Sequence, residues 1–351
     1  MLWKKKVKND FMTEQILNLG VDLGTSRSSV SSSNGVRQAV ESYVGWPSDM
    51  VARKVLRKDV LIGREAIDNR LMVDLYRPLE RGLIKEGSQQ DALAVRELLR
   101  HLVSLAGATP DRHDLKIQAV VGVPAEALRV NKKQLREAMQ GIVDSLMIVS
   151  EPFAVAYGLE ALTNALIIDV GAGTCDFCVM NGRYPTEDDQ RTLTVAGDYV
   201  DAHLHRLIAA RYPEVSISQH MARDWKERFS FVGTPPEIIE VTAPVQGRPT
   251  QFDITDQMKQ ACESLLPAVT ETMLDLISRV DPDFQERVRE NVILSGGTGL
   301  IRSFGLALQG ALEQIGGGRV RVVADPFHVG SDGGLALAMD APASEWERLA
   351  A

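Results

Sequence analysis

The sequence contains few cysteines, few aromatic residues and no long apolar run. Only 3 of its 351 residues are cysteine, which excludes a disulfide framework. No apolar run approaches the length of a membrane span, so we expect no integral membrane segment. The start, MLWKKKVKND, is basic but lacks the long apolar stretch of a secretory signal. These absences predict a reduced protein of the cytoplasm.

Two of the cysteines, Cys175 and Cys178, have the C-x-x-C spacing that can indicate zinc or redox chemistry. They fall in a predicted strand, where successive side chains alternate between the two faces. Residues three apart on a strand point to opposite sides, so this pair does not easily share a metal or close a disulfide. We therefore interpret both as small apolar strand residues. His203 and His205 are two apart on a predicted helix, and metal binding is not expected there either.

Basic residues are also fewer than acidic ones. The formal net charge is -8, which argues against a general surface for nucleic acid. The basic run at 4–8 belongs to a segment, residues 1–15, that we expect to be a flexible solvated tail, with contact to an acidic membrane or partner as the alternative. The composition is 44% apolar and 25% charged, as in soluble globular proteins, and the length allows two domains.

An internal repeat is present in the chain. Asn34-Gly35 lies 12 positions after Asp22, and Asn181-Gly182 lies 12 positions after Asp169. Each aspartate follows an apolar run and precedes a glycine-containing turn, and Asn-Gly favours a tight hairpin. Each unit is thus predicted as strand, turn, strand, Asn-Gly turn and strand. Two such units far apart indicate a duplicated α/β domain with a cleft between its copies.

The intervening segments agree with this organisation. We predict strands at 115–125 and 145–152, helices at 131–143 and 329–340, and a strand, turn and helix start at 291–304. Pro152 suits the first position of the helix after the second of these strands. Two less regular stretches, at about 45–79 and about 196–262, are predicted to be inserts.

The repeated turns have the chemistry of phosphate binding. Glycine lets main-chain N–H groups approach an anion closely, and hydroxyl groups add donors. An aspartate beside phosphate is electrostatically sensible when a divalent cation lies between them, so Asp22 and Asp169 are predicted to hold Mg²⁺ through water. The predicted phosphate-binding residues are Gly24, Thr25 and Ser26 in the first turn, and Gly171, Ala172, Gly173 and Thr174 in the second.

Five stretches in the same order resemble the motifs of one superfamily. DLGTSRSSV and DVGAGTCDF are similar to the two phosphate loops of the actin, sugar-kinase and heat-shock-chaperone ATPases. VGVPAEA and GSDGGLALA resemble the two connecting segments, and LSGGTGLIRSF resembles the adenosine motif. The resemblance implies two RNase H-like domains, each with a smaller insert subdomain, and ATP in the cleft. It places the domains at 16–160 and 161–340, with a C-terminal tail at 341–351.

The resemblance also implies roles for single residues. Gly296, Gly297 and Thr298 occupy the adenosine motif, and Thr298-Gly299 departs from the small Gly-Ser pair that is common there. Lys226-Glu227 matches a pair that contacts nucleoside in actin-like filament proteins, the alternative being an exposed helical salt-bridge face. Glu151 is expected to orient the attacking water, which together with Mg²⁺ and Asp169 suffices for phosphoryl transfer to water.

Within the superfamily, the bacterial actins fit best. YRPLERGLI resembles a segment of these filament proteins, and the likeness to those that align magnetosomes extends through the inserts. This implies a cytoplasmic ATPase that polymerises with itself, hydrolyses ATP and positions magnetosomes through further proteins. The alternatives are a non-polymerising nucleotide-binding adaptor and a bacterial actin of cell shape or DNA segregation. The retained Asp22, Glu151 and Asp169 favour the polymerising ATPase.

Overall fold

The structure, a computed structural model, describes residues 15–80, 83–84, 89–107, 115–125 and 128–349. The predicted basic tail lies outside these residues, apart from position 15. The strands are β1 (Gln15–Asp22), β2 (Arg27–Ser32), β3 (Arg37–Glu41), β4 (Val44–Pro47), β5 (Leu61–Ile62), β6 (Val73–Tyr76), β7 (Leu79–Glu80), β8 (Leu83–Ile84), β9 (Leu115–Val123), β10 (Ser145–Ser150), β11 (Thr163–Val170), β12 (Cys175–Asn181), β13 (Gln190–Leu193), β14 (Glu240–Val245), β15 (Arg248–Asp253), β16 (Val292–Ser295), β17 (Val320–Val322) and β18 (Glu347–Arg348).

The helices lie between these strands, singly or in groups of two or three. They are α1 (Met50–Leu56), α2 (Arg64–Asp68), α3 (Gln89–Leu105), α4 (Leu128–Met139), α5 (Glu151–Gly158), α6 (Gly197–Arg211), α7 (Gln219–Phe229), α8 (Thr255–Glu263), α9 (Leu266–Arg279), α10 (Pro282–Arg289), α11 (Phe304–Glu313) and α12 (Val329–Asp340). In the part of the chain that is described, no helix is both long enough and apolar enough to span a bilayer.

Two sheets repeat one topology. The first sheet has the order β18-β10-β9-β1-β2-β3, and the second has β13-β12-β11-β16-β17. In each, three consecutive strands form an antiparallel meander, and two later strands add in parallel beside the first strand of the meander. The internal repeat predicted from the two aspartate turns is confirmed at the level of strand order and direction.

The two Asn-Gly turns lead into different connections. Gly35 and Gly182 both have positive φ, as such turns require, but only the first joins its strands by a short connection. After Gly182 the chain forms a 3₁₀ turn at Glu187–Asp189 before β13 begins. Asp189 fixes this connection by accepting hydrogen bonds from Thr186 N and Thr186 Oγ1, each at 2.7 Å. The tight second hairpin expected from the sequence is therefore wrong.

Among the described residues, three large apolar cores separate the layers, and a fourth, small core lies in the first insert. One core lies between the first sheet and α3 and α4, and another lies between the second sheet and α6, α8, α9 and α11. The third contains α5 and α12 together with residues of both sheets. These two helices are thus sandwiched between the sheets. Cys175 and Cys178 belong to different cores, which confirms that they occupy opposite faces of β12.

The inserts form the outer parts. β4, β5 and β6 make a three-stranded insert sheet with α1 and α2 beside it, and β14 pairs with β15 in the second insert. However, α6 and α8, which fall within the predicted insert at 196–262, contribute to the core of the second sheet. Each of the two helices has an apolar stripe, and packing against the second sheet buries that stripe.

The end of the chain returns to the first sheet. The helix α12 lies within the predicted second domain, 161–340, yet its glycines contact β1 and α5. Residues 347–348, in the predicted tail, form β18 and pair with β10 as an edge strand. Sequence order alone assigned these elements to the second half. The glycines of α12 let that helix pack on the first half instead.

The close approach of α12 to α5 requires glycine. A Cβ on Gly333 would lie 1.8 Å from the carbonyl oxygen of Ala154. We expect Gly333→Ala to force the two helices apart and to lower the free energy of unfolding by about 1–3 kcal/mol, as overpacking does. Gly310→Ala in α11 is the matched control, because nothing lies within 4 Å of the added methyl group. It should be neutral or slightly stabilising. Urea denaturation that shows equal stability for the two variants would contradict this packing.

Candidate functional site

A cleft of about 430 Å³ opens where the central strands of the two sheets end. Asp22 is the last residue of β1, Asp169 is the penultimate residue of β11, and Glu151 is the first residue of α5. Every residue that the sequence predicted for the site lines this cleft: Asp22, Gly24, Thr25, Ser26, Glu151, Asp169, Gly171, Ala172, Gly173, Thr174, Lys226, Glu227, Gly296, Gly297 and Thr298. Residues distant in sequence are thus brought to one place by the two sheets.

Three carboxylates lie close together in the cleft. Burial raises the pKa of Asp22 to about 6. Burial also raises the pKa of Asp169 well above its usual value, and the charges of Asp22 and Asp176 raise it further. The pKa of Glu151 is raised well above its usual value by burial and by the charges of Asp22, Asp176 and Asp169. In the absence of a cation the ionised forms of these groups repel one another.

Asp176, which the sequence analysis did not single out, is held by both halves. Its carboxylate accepts a hydrogen bond from the main-chain N–H of Ala125 at 3.0 Å and another from Thr192 Oγ1 at 2.5 Å. Ala125 lies just after β9 of the first sheet, whereas Thr192 lies in β13 of the second. Asp176 therefore joins the two sheets behind the cleft, directly across from Asp169 in the β11–β12 pairing.

The first turn, Gly24–Ser26, is fixed through its carbonyl groups. Gly24 O accepts a hydrogen bond from Ser42 Oγ at 2.6 Å, and Thr25 O accepts one from Arg77 Nε at 3.0 Å. A Cβ on Gly24 would lie 2.4 Å from the carbonyl oxygen of Arg27, so the turn is too tight for a larger residue. The carbonyl groups are thereby occupied from outside the cleft.

The second turn, Gly171–Thr174, is closed by Gly171 N donating to Thr174 O at 2.9 Å. The carbonyl of Gly171 accepts hydrogen bonds from Thr298 Oγ1 at 2.7 Å and from Gly197 N at 3.1 Å. The hydroxyl of Thr298, a residue that the resemblance assigned to nucleoside, therefore fixes the second turn. Asp198 N donates to the carbonyl of Ala172 at 2.7 Å.

Lys226 differs from the exposed salt-bridge face considered as its alternative. The residue is only 7% exposed, and its ammonium lies 2.7 Å from the Asp201 carboxylate and donates to Gly197 O at 3.1 Å. Glu227, the next residue, is exposed. The alternative of an exposed salt-bridge face is therefore wrong for Lys226. Its charge is matched within the second half.

An ion-pair network crosses the cleft. Arg77 lies just after β6 of the insert sheet, and its guanidinium forms an ion pair with Asp198 of α6 at 2.8 Å. Arg223 of α7 pairs with the same carboxylate at 2.9 Å and with Asp201 at 3.0 Å, and it donates to Tyr43 Oη at 2.9 Å. Because Arg77 also holds the first turn and Asp198 also holds the second, the network links the two turns.

The structure adds residues to the cleft that the sequence analysis missed: Arg27, Arg223, Ser230, Leu300, Ile301, Pro326 and Phe327. Several stand beside recognised motifs, since Arg27 comes directly after the first turn and Leu300 and Ile301 come after the adenosine motif. Their positions were visible in the sequence. Their participation was not, because it depends on how the two sheets meet.

The donor set fits a hydrated metal held together with phosphate. Among the described residues, no group of three or more His, Cys, Asp or Glu side chains is placed to hold a metal alone, and this includes the region of His203 and His205. Asp22 and Asp169 nevertheless have pKa values raised by burial, and a cation between them would relieve that cost. Mg²⁺ commonly keeps several waters and takes only one or two carboxylates besides phosphate.

Comparison with known proteins identifies the family of the chain. The family model of the MreB/Mbl protein matches residues 16–342. The actin-like protein MamK of Paramagnetospirillum magneticum is 40% identical over 333 residues, which are 95% of this chain and 95% of that protein. The structure of a MamK double helical filament superposes with a TM-score of 0.90 at 40% identity, covering 93% of this chain and 100% of that chain.

A second solved structure holds a nucleotide analogue. It is a non-polymerising mutant of MamK bound to AMPPNP, with a TM-score of 0.71 and 39% identity, covering 93% of this chain and 100% of that one. The predicted α/β fold, with duplicated RNase H-like halves about a cleft, is confirmed as the actin-like fold. By the match of family model, sequence and structure, the chain belongs to the MreB/Mbl family of actin-like proteins.

Proposed function

We propose that the protein is an ATP-dependent actin-like filament protein and that its cleft binds ATP with Mg²⁺. The observation that carries the proposal is the convergence of two glycine-containing turns on three carboxylates in one cleft. Main-chain N–H groups and hydroxyls of the two turns hold the phosphates, and the Gly296–Thr298 turn lies against the nucleoside. Asp22 and Asp169 hold Mg²⁺ through its waters, and the metal supplies charge neutralisation for the phosphates.

Glu151 orients the attacking water. Its side chain projects from the first turn of α5 over Gly122, where a Cβ would lie only 3.4 Å from Glu151 Cγ. Burial and the neighbouring carboxylates raise its pKa, so its ionised form is a stronger proton acceptor than an exposed glutamate. Positioning of water by one such group, with the phosphates held between two turns, is sufficient for phosphoryl transfer to water.

Polymerisation is the proposed use of the nucleotide. A ligand held by turns of both halves favours the closed arrangement, and the network from Arg77 through Asp198 to Arg223 stabilises that arrangement from the protein side. The chain superposes better on the MamK filament than on the non-polymerising mutant, with TM-scores of 0.90 and 0.71 at nearly equal identity. This supports a closed, filament-competent form as the state described.

The proposed cellular role is the positioning of magnetosomes by a cytoplasmic filament with magnetosome-associated partners. Its support is the 40% identity to MamK over 95% of the chain. The alternatives are a non-polymerising adaptor and another bacterial actin of cell shape or DNA segregation. Negative-stain imaging of purified protein with ATP and Mg²⁺ tests the proposal, and absence of filaments with every nucleotide would favour the adaptor.

Substitution of Asp169 should change two quantities in opposite directions: it should raise stability without nucleotide and remove the effect of Mg²⁺ on ATP affinity. Asp169→Asn removes a charge that burial disfavours, so it should raise the stability of the nucleotide-free protein near neutral pH. It should also abolish the effect of Mg²⁺ on ATP affinity. Because the folded-state pKa of Asp169 is raised, wild-type stability is lost as pH rises through that pKa. The advantage of the variant should therefore shrink as pH falls.

Thermal melting over a pH series and calorimetric titration with ATP, with and without chelator, measure these effects. Asp188→Asn, an exposed position on the β12–β13 connection, is the control. A destabilised Asp169→Asn protein, or one whose ATP affinity still depends on Mg²⁺, would contradict the assignment.

Glu151 separates hydrolysis from assembly. Glu151→Gln should reduce phosphate release by about 100-fold or more and leave ATP affinity nearly unchanged, because water orientation acts in the transition state. Filaments formed after a limited dose of ATP should then outlast those of the wild type, since the γ-phosphate that links the two turns persists.

Phosphate release, ATP binding and pelleting over time measure the three effects. Glu160→Gln, at an exposed glutamate just beyond α5, should behave as the wild type does. If ATP affinity falls as much as turnover, Glu151 has a structural role. Equal filament lifetimes in the two proteins would separate hydrolysis from disassembly.

A further inference from the structure

Arg27 lies at a distinctive place in the cleft. It is the first residue of β2 and comes directly after the Gly24–Ser26 turn. The centre of its guanidinium lies 4.5 Å from the centre of the Phe327 ring. Phe327 in turn packs against the Gly296–Thr298 turn, because a Cβ on Gly297 would lie 3.2 Å from the ring. Arg27 therefore stands between the turn assigned to phosphate and the turn assigned to nucleoside.

The other cations that line the cleft are already neutralised. Arg223 is paired with Asp198 and Asp201, and Lys226 with Asp201. Arg27 forms no ion pair with any described carboxylate, and it also has none with Glu41, its cross-strand neighbour in the β2–β3 pairing. Within the described residues, Arg27 is thus the cleft cation that has no direct ion pair.

Its contact with Phe327 holds the guanidinium without using its hydrogen bonds. A cation over an aromatic face is attracted electrostatically, while the N–H donors at the edge of the guanidinium stay available. The planar fork of those donors matches the spacing of phosphate oxygens and binds them in pairs. An anion placed beside Arg27 would also supply the ion-pair partner that the described residues do not provide.

We propose that Arg27 binds the inner phosphates, α and β, of the bound nucleotide, and that Phe327 holds its guanidinium in position. The inference rests on the proposed ATP site. It extends that site, because Asp22 and Asp169 are assigned to the metal and Glu151 to the attacking water, whereas no charged side chain is yet assigned to the inner phosphates that ATP and ADP share. Arg27 accordingly sets the affinity for both nucleotides and retains ADP after hydrolysis.

Competition titrations with ATP, ADP and adenosine test this assignment. Arg27→Gln should weaken ATP and ADP alike, by about 10- to 100-fold for the loss of charged hydrogen bonds, and leave adenosine unchanged. Arg64→Gln is the matched control, because that arginine is exposed on α2, with 72% of its side chain accessible, and lies outside the cleft. Melting without nucleotide shows whether each variant is folded.

Phe327→Leu tests whether Phe327 holds the guanidinium of Arg27 in position. It should weaken both nucleotides by about 2- to 5-fold, through loss of the cation–π contact. In an Arg27→Gln background the same change should have no further effect on either nucleotide, because Phe327 acts through Arg27. A further loss in that background would show that Phe327 contacts the ligand directly and would overturn its positioning role.

Three results would overturn the role of Arg27. They are unchanged affinities in Arg27→Gln, a loss confined to ATP, which would move the contact to the terminal phosphate, and an equal loss of adenosine. Failure of the underlying function is distinguishable from all three, because the wild-type protein would then bind neither ATP nor ADP.

Discussion

The site depends on the electrostatic repulsion between carboxylates at the point where β1 and β11 end. Asp22, Asp169 and Glu151 converge there with Asp176 behind them. Burial raises the pKa of Asp22, Asp169 and Glu151, and the neighbouring carboxylates raise the pKa values of Asp169 and Glu151 further. A protein gains no stability from such a cluster by itself. The arrangement becomes favourable when a cation and phosphates occupy the cleft. Under the proposed function, the carboxylates that cost stability without a cation are thus the groups that would make nucleotide binding cation-dependent.

The surrounding fold keeps these carboxylates close together and connects them to both halves of the molecule. The sandwiched helices α5 and α12 approach so closely that glycine is required, which gives the two sheets a rigid common layer. At the opposite side, Arg77, Asp198 and Arg223 cross the cleft and also hold the two turns. Under the proposed function, a change in the phosphates would therefore act on groups that belong to both halves, as a nucleotide-controlled filament subunit requires.

Much of this could be predicted from the sequence, because the repeat of an aspartate, a glycine turn and Asn-Gly is a local pattern with a physical reason. Asp22, Asp169 and Glu151 were found in that way or by family resemblance, and each lines the cleft. The features that could not be predicted depend on long-range packing. The return of α12 and β18 to the first sheet and the place of Phe327 beside Arg27 have no local signal. The longer connection before β13 contains a capping box between Thr186 and Asp189, a local pattern that the sequence analysis did not use.

The central claim is that a divalent cation resolves the repulsion between the carboxylates of the two halves. The most direct measurement is a crystal structure with a non-hydrolysable ATP analogue and Mn²⁺ in place of Mg²⁺, in which anomalous scattering locates the metal. The account predicts a single strong peak between Asp22 and Asp169, beside the phosphates and separated from the carboxylates by water. A peak elsewhere, or an ordered nucleotide with no metal between these two residues, would contradict it.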